Sequence, residues 1–195
     1  VIEPQYPAAV DRYVNLGQFY DIAAAKAVRE EVIACTTACS GAYQQAYRAL
    51  GAARQMADSA AILVSEGLDR EKLMRRADGI IGREIRGRGA GVREDYRFLG
   101  SVTCRGTVWR FDTVETLCPR IYQLQDSFGL AWPLLERLRA AAGARGFGAI
   151  VCPAPDHPER IEHLLLPELG TAFVTSREGM VYDGPAYRRV RVDAM

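Results

Sequence analysis

From Ile22 to Val64 the apolar residues recur at steps of three and four. Ile22, Ala25, Val28, Val32, Cys35, Cys39, Ala42, Ala46, Leu50, Ala53, Met56, Ala60 and Val64 share one helical face, and the register does not reset at Gly41 or Gly51. A strand, with its period of two, cannot carry this stripe. The spacing predicts one long helix capped by Asp21, or two nearly collinear helices broken at Ser40-Gly41. A small α/β sheet cannot cover so long a face, and its Ala, Cys and Gly suit close helix–helix approach. A homodimer through residues 22–64 is therefore expected.

Beyond the stripe, SEGLD (Ser65 to Asp69) stops one helix and caps the next, over 70–86, with Leu73, Ala77, Ile80, Ile81 and Ile85 facing inward. RGRGAG (Arg86 to Gly91) reads as a hinge. Arg97 to Val102 and Thr107 to Phe111 read as strands about the turn Cys104-Arg105-Gly106, followed by a helical turn at Asp112 to Leu117. From Ile121 the pattern is strand, loop, helix (Pro133 to Arg145), strand (Phe147 to Cys152), short helix (Pro158 to His163) and strand (Thr171 to Thr175). Strands alternating with helices predict an α/β domain whose parallel sheet is covered by helices. Residues 1–20 are Pro-rich, with a strand end and turn over Tyr13 to Gly17, and Pro7 to Asn15 loosely echoes Pro185 to Asp193.

The strand-like Ile121 to Leu124 leads into DSFGLAWP (Asp126 to Pro133) and then a helix, the frame of a phosphate loop. An active loop reads G-x-x-x-x-G-K-[ST]: glycines let backbone N–H groups wrap the phosphates, Lys reaches them and Ser or Thr holds magnesium. Here those four positions hold Asp126, Ala131, Trp132 and Pro133. No phosphate-handling group remains, and an Asp at the entrance repels a triphosphate. Two readings of Asp126 to Ala131 stay open: an anion site on the helix N-terminus, or a turn in which Asp126 itself caps the helix. Trp132 either packs on neighbouring elements or stacks on a base or partner side chain.

A net charge of +1 gives no electrostatic case for nucleic acid or an anionic membrane. No apolar run approaches the ~20 residues of a membrane span and no charged-then-apolar leader pattern is seen, so neither secretion nor membrane spanning is expected. Five cysteines, an odd count, suggest reduced thiols and a cytoplasmic protein. The start at Val1, in mid-pattern, reads as a piece of a longer protein.

PQYPAAVDRYVNLGQFYD, AYQQAYRALGAARQMADS and CPAPDHPERIEHLLLPELGTAFVTS together resemble a bacterial family of uncharacterised proteins assigned as ATPases, in which two P-loop-type halves stand in tandem. The resemblance implies that 1–20 is the tail of a preceding half. It makes 21–86 the helical connector, 87–94 a Gly/Arg hinge and 95–195 a degenerate P-loop NTPase-like domain. It also implies that the intact loop, with ATP and magnesium, belongs to the preceding half, which becomes this chain's partner. Asp126, Ser127, Phe128, Gly129, Leu130 and Ala131 then form the degenerate phosphate loop, matching D-x-[YF]-G-L, and no cofactor is expected here. The strand that would carry a magnesium-associated Asp ends instead at Val174-Thr175-Ser176. The expected role is support or regulation of the ATP-binding half. The alternatives are a hydrolase completed in trans, with Arg105, Arg177 or Arg188 reaching a neighbour's phosphates, and a helical interaction module on an α/β scaffold.

Cys152, His157 and His163, with Glu162 beside them, form a possible zinc set whose spacing matches no strong signature. The alternative is a buried thiol and two hydrogen-bonded histidines. Cys35 and Cys39 are small residues of the stripe, and no catalytic residue is assigned.

Overall fold

The computed structural model describes residues 15–91 and 93–195, which divide into two compact units, one ending at Gly51 and one starting at Ala52. In the first unit, Leu16–Phe19 forms a 3-10 turn whose leading Asn15 side chain accepts from Gly17 N at 3.0 Å. A strand end was expected there; Tyr13 and Val14, like the rest of the tail before Asn15 and most of the Pro7 to Asn15 echo, lie outside the described residues. Helix α1 (Ile22–Ala27) is capped by Asp21, which accepts from Ala24 N at 2.9 Å.

The helical break falls at Val28 (φ −111°, ψ 24°), not at Ser40-Gly41. Val32 N still bonds to Val28 O at 3.0 Å, so the turn loosens without ending the run, and α2 (Arg29–Ser65) continues for 37 residues into the second unit. Each helical Gly costs about 1 kcal/mol against Ala, and neither Gly41 nor Gly51 is enough to stop a helix of this length. Every described residue of the first unit is exposed except Gly41, which is half-buried.

The second unit is α/β. Asp69 caps α3 (Arg70–Glu84) by accepting from Lys72 N at 2.8 Å, and Leu73, Ala77, Ile80 and Ile85 are buried as the spacing predicts. The strands are β1 (Glu94–Tyr96), β2 (Gly100–Thr103), β3 (Gly106–Trp109), β4 (Arg120–Gln125), β5 (Ala149–Ala154), β6 (His157–Leu166), β7 (Thr171–Ser176) and β8 (Arg188–Arg191). Helix α4 (Phe111–Leu117) precedes β4 and α5 (Trp132–Ala144) follows it. β2 and β3 form a separate hairpin, and the other six strands form one sheet in the order β1-β5-β6-β7-β4-β8.

That sheet is mixed, which corrects the all-parallel expectation. β1 runs parallel to β5, and β7 and β8 run parallel to β4, but β6 is antiparallel to both β5 and β7. The short helix expected at Pro158 to His163 is strand. Ala154 pairs with His157, so Pro155-Asp156 makes a two-residue hairpin turn, and β5 reverses directly into β6. Ile161 to Leu166 then buries on both faces, which reads in sequence as a continuous apolar run rather than an alternation.

One core joins α3 and α5 to one sheet face, and a second lies on the other face around Val114, Cys118, Ile121, Leu165 and Tyr182. Leu134, Leu135 and Leu138 of α5 are fully buried, each worth roughly 1.5–3 kcal/mol. The Gly-rich stretch expected as a hinge is fastened to the turn after α5: Gly89 N donates to Arg145 O at 2.9 Å and Gly91 N to Gly146 O at 3.0 Å. A Cβ on Gly89 would run into the Gly146 carbonyl.

A buried polar knot ties α3 to β4. Tyr122 Oη donates to Glu84 Oε1 at 2.6 Å, and Arg120 Nη1 donates to Glu84 Oε2 at 3.0 Å. Burial, and then Glu84, push the Tyr122 phenol up to about 12. An unfolded tyrosine titrates near 10. The knot's contribution is therefore full below pH ~10 and is lost as pH climbs toward the folded value. Tyr122→Phe, which leaves Glu84 Oε1 one partner short, should cost about 1–3 kcal/mol in urea unfolding and flatten the alkaline loss of stability. An unchanged alkaline limb would contradict this assignment.

Candidate functional site

Strands β4 and β7 run parallel, so their C-terminal ends open on the same side, and a cleft of about 350 Å³ lies there. Its walls come from the loop Asp126 to Gly129 with Trp132, from the β5–β6 hairpin, from Thr175 and Arg177, and from Arg54 to Ala61 of α2.

The loop after β4 is built around Asp126. This carboxylate is buried and accepts from Leu130 N at 2.7 Å and Ala131 N at 2.8 Å. Ala131, at the N-cap of α5, carries no side-chain cap, and Asp126 instead holds the N–H groups of the two residues that lead into the helix. Pro133 needs no partner for the N–H it lacks. Gly129 sits at φ +69°, where a side chain would be strained. Burial pushes the Asp126 carboxyl up, against the pull of the two N–H groups. A second carboxylate, Asp193, accepts from Ser127 N and Ser127 Oγ, both at 2.8 Å. Protein carboxylates thus occupy three N–H groups of the segment from Ser127 to Ala131. Phe128 and Trp132 stay about two-fifths exposed at the cleft (42% and 40%).

The opposite wall carries a buried acid. Glu162 Oε1 accepts from Arg177 Nη2 at 2.6 Å. Its Oε2 lies 3.5 Å from His163 Nε2, at the limit of a hydrogen bond, and neither atom has another partner among the described residues. Thr175 N donates to His163 Nδ1 at 3.2 Å, which places the ring proton on Nε2, facing Glu162. Burial raises the Glu162 carboxyl, but His163 and Arg177 outweigh it and hold it below its usual range. Nearer the rim, Asp58 stands 3.5 Å from both Arg54 and Arg160.

Of the possible zinc set, Cys152 and His163 are cross-strand partners and His157 lies at the far end of the hairpin, with Nδ1 2.6 Å from Glu159. Among the described residues, no group of three or more His, Cys, Asp or Glu side chains is gathered to hold a metal ion. Burial, and then Glu162, push the Cys152 thiol up to about 12, so the thiolate a metal or nucleophilic role needs is disfavoured. Cys35 and Cys39 are exposed on α2. Of the three arginines, Arg177 is held by Glu162, Arg188 lies 5.3 Å over the Tyr187 ring, and Arg105 is exposed in the β2–β3 turn. Thr175 Oγ1 is buried without a partner among the described residues, and Ser176 Oγ accepts from Gln123 and Tyr182 N.

Sequence reasoning missed Asp193, the Glu162–Arg177 pair and the Arg54–Asp58–Arg160 group. Apart from Arg54 and Asp58, which stand at i,i+4 on one helix, the partners are well separated in the chain and no local spacing marks them. Protein-family models, curated proteins and solved structures were all compared with the chain, and none matches.

Asp126→Ala should cost about 2–3 kcal/mol in unfolding experiments, because it strips a charged acceptor from two N–H groups, while Asp126→Asn, which keeps one acceptor, should cost less. Equal stability of all three proteins would show that these two contacts are not needed. Elemental analysis of untreated protein should give well under one zinc per chain. A full equivalent that disappears in His163→Ala would make Cys152, His157 and His163 a metal site.

Proposed function

We propose that the chain is the catalytically degenerate half of a tandem P-loop-type ATPase and that it supports or regulates an ATP-binding half. The observation that carries this reading is the Asp126 carboxylate seated on Leu130 N and Ala131 N, where a bound phosphate would need those donors. The strand–loop–helix order of β4 and α5 fits a P-loop ancestry. Trp132 and Pro133, in the Lys and hydroxyl positions, leave nothing to reach a γ-phosphate or hold magnesium. In this reading ATP and magnesium belong to the other half, and the cleft beside Asp126 contributes shape and polar contacts rather than chemistry.

A second reading, a helical interaction module carried on an α/β scaffold, draws on a different observation. Tyr43, Tyr47, Met56, Ile62 and Leu63 of α2 are all at least 60% exposed. Such apolar surface is usual where a partner binds. The two readings are compatible, since a supporting half needs a means of attachment.

Purified chain given ATP or GTP with magnesium should show no turnover above background. Turnover that survives repurification and is lost in Asp126→Asn would overturn the degenerate reading. It would direct attention to the cleft as a working site.

A further inference from the structure

The cleft at the C-terminal ends of β4 and β7 holds about 350 Å³, within the range of small-molecule sites, and every residue of its wall belongs to the second unit. Two polar side chains that line it are short of partners. Glu162 is 5% exposed and Thr175 2%, yet Glu162 Oε2 and Thr175 Oγ1 have no hydrogen bond among the described residues. A buried polar group left unpaired costs free energy that a ligand recovers when it supplies the missing bond. Phe128 and Trp132 bring two partly exposed rings to the same cleft.

The charges fix the sign of what can enter. Each arginine of the wall already faces a carboxylate: Arg177 meets Glu162 at 2.6 Å, and Arg54 and Arg160 each stand 3.5 Å from Asp58. No cation there waits for an anion. The carboxylates of the wall outnumber its arginines four to three, Asp126 is held by backbone N–H groups, and His157 is taken up by Glu159. One negative charge is left without a cation. We propose that the cleft binds a small organic monocation of amidinium type, its N–H groups on Glu162 Oε2 and Thr175 Oγ1 and its flat body against Trp132 and Phe128. A planar amidinium offers two N–H donors side by side to the two open acceptors, and the ring faces attract positive charge. Although burial raises the Glu162 carboxyl, His163 and Arg177 hold it below its usual range, so it enters the contact ionised.

This binding goes beyond the supporting role proposed above and shares none of its premises. Turnover of ATP would leave it standing, and a cleft that takes no cation would leave the degenerate loop as it is.

Benzamidinium is the probe, followed by ligand-detected NMR on the full chain. It should bind with a Kd on the order of 1 mM or tighter, as suits so small a ligand. Benzamide, its uncharged isostere, should bind at least about tenfold more weakly, and benzoate not measurably. Glu162→Gln keeps the shape and removes the charge, and should erase the preference for amidinium over amide. Trp132→Leu, which leaves the Glu162–Arg177 pair intact, should weaken benzamidinium severalfold. Circular dichroism checks that each variant is folded; if Glu162→Gln is not, the benzamide comparison and Trp132→Leu decide. No benzamidinium binding up to ~10 mM, equal affinity for amidinium and amide, or binding unaltered in either folded variant would each overturn the proposal.

Discussion

One carboxylate, that of Asp126, organises the end of the sheet that opens on the cleft. Its two N–H partners stand at the start of α5, so the side chain fixes the exit of β4 and the entry of the helix in one contact. α5 in turn contributes three fully buried leucines to the larger core. A loop that binds phosphate leaves its N–H groups open until the ligand arrives; this one is closed by its own chain. Asp193 repeats the device at Ser127, which ties the loop to the segment after β8.

A second constraint lies across the sheet. β6 enters between β5 and β7 with both its neighbours antiparallel, and a register shift at Cys152, Pro153 and Ala154 accompanies its divergence near the cleft. Thr175 N, beyond the last cross-strand pair, finds no β6 carbonyl and is satisfied by the His163 ring. The same divergence leaves Glu162 facing the cleft with Arg177. The buried charge there is a consequence of how the hairpin ends.

Elements whose signals are local were legible in the sequence: the caps at Asp21 and Asp69, the buried face of α3, the strand–loop–helix around Asp126, and the bounds of α5. Elements set by distant pairing were not. Pro158 looked like a helix start because a proline followed by polar residues suits both a first helical turn and the strand after a Pro-Asp turn, and only the pairing of Ala154 with His157 distinguishes them. The break at Val28 carries no Gly or Pro to announce it. β1 has three residues and β8 only one buried side chain, too little for periodicity to register. At the site, a turn closed by Asp126 was one of two readings that the residues allowed, but its partners are Leu130 N and Ala131 N, just before the helix, rather than N–H groups of the helix itself. Asp193 lies 66 residues from Ser127, beyond any local pattern.

The outer strands of the sheet bear on how this chain meets others. β8 reads Arg-Arg-Val-Arg, with its three arginines exposed, and at the other margin β1 offers only three residues to a newcomer. The β8 of a second copy laid along this one would bring arginines against arginines, while a strand laid along β1 would find only a three-residue ladder. The sheet is thereby closed to growth at both margins, so the chain can carry a long apolar helix without inviting runaway strand-to-strand polymerisation.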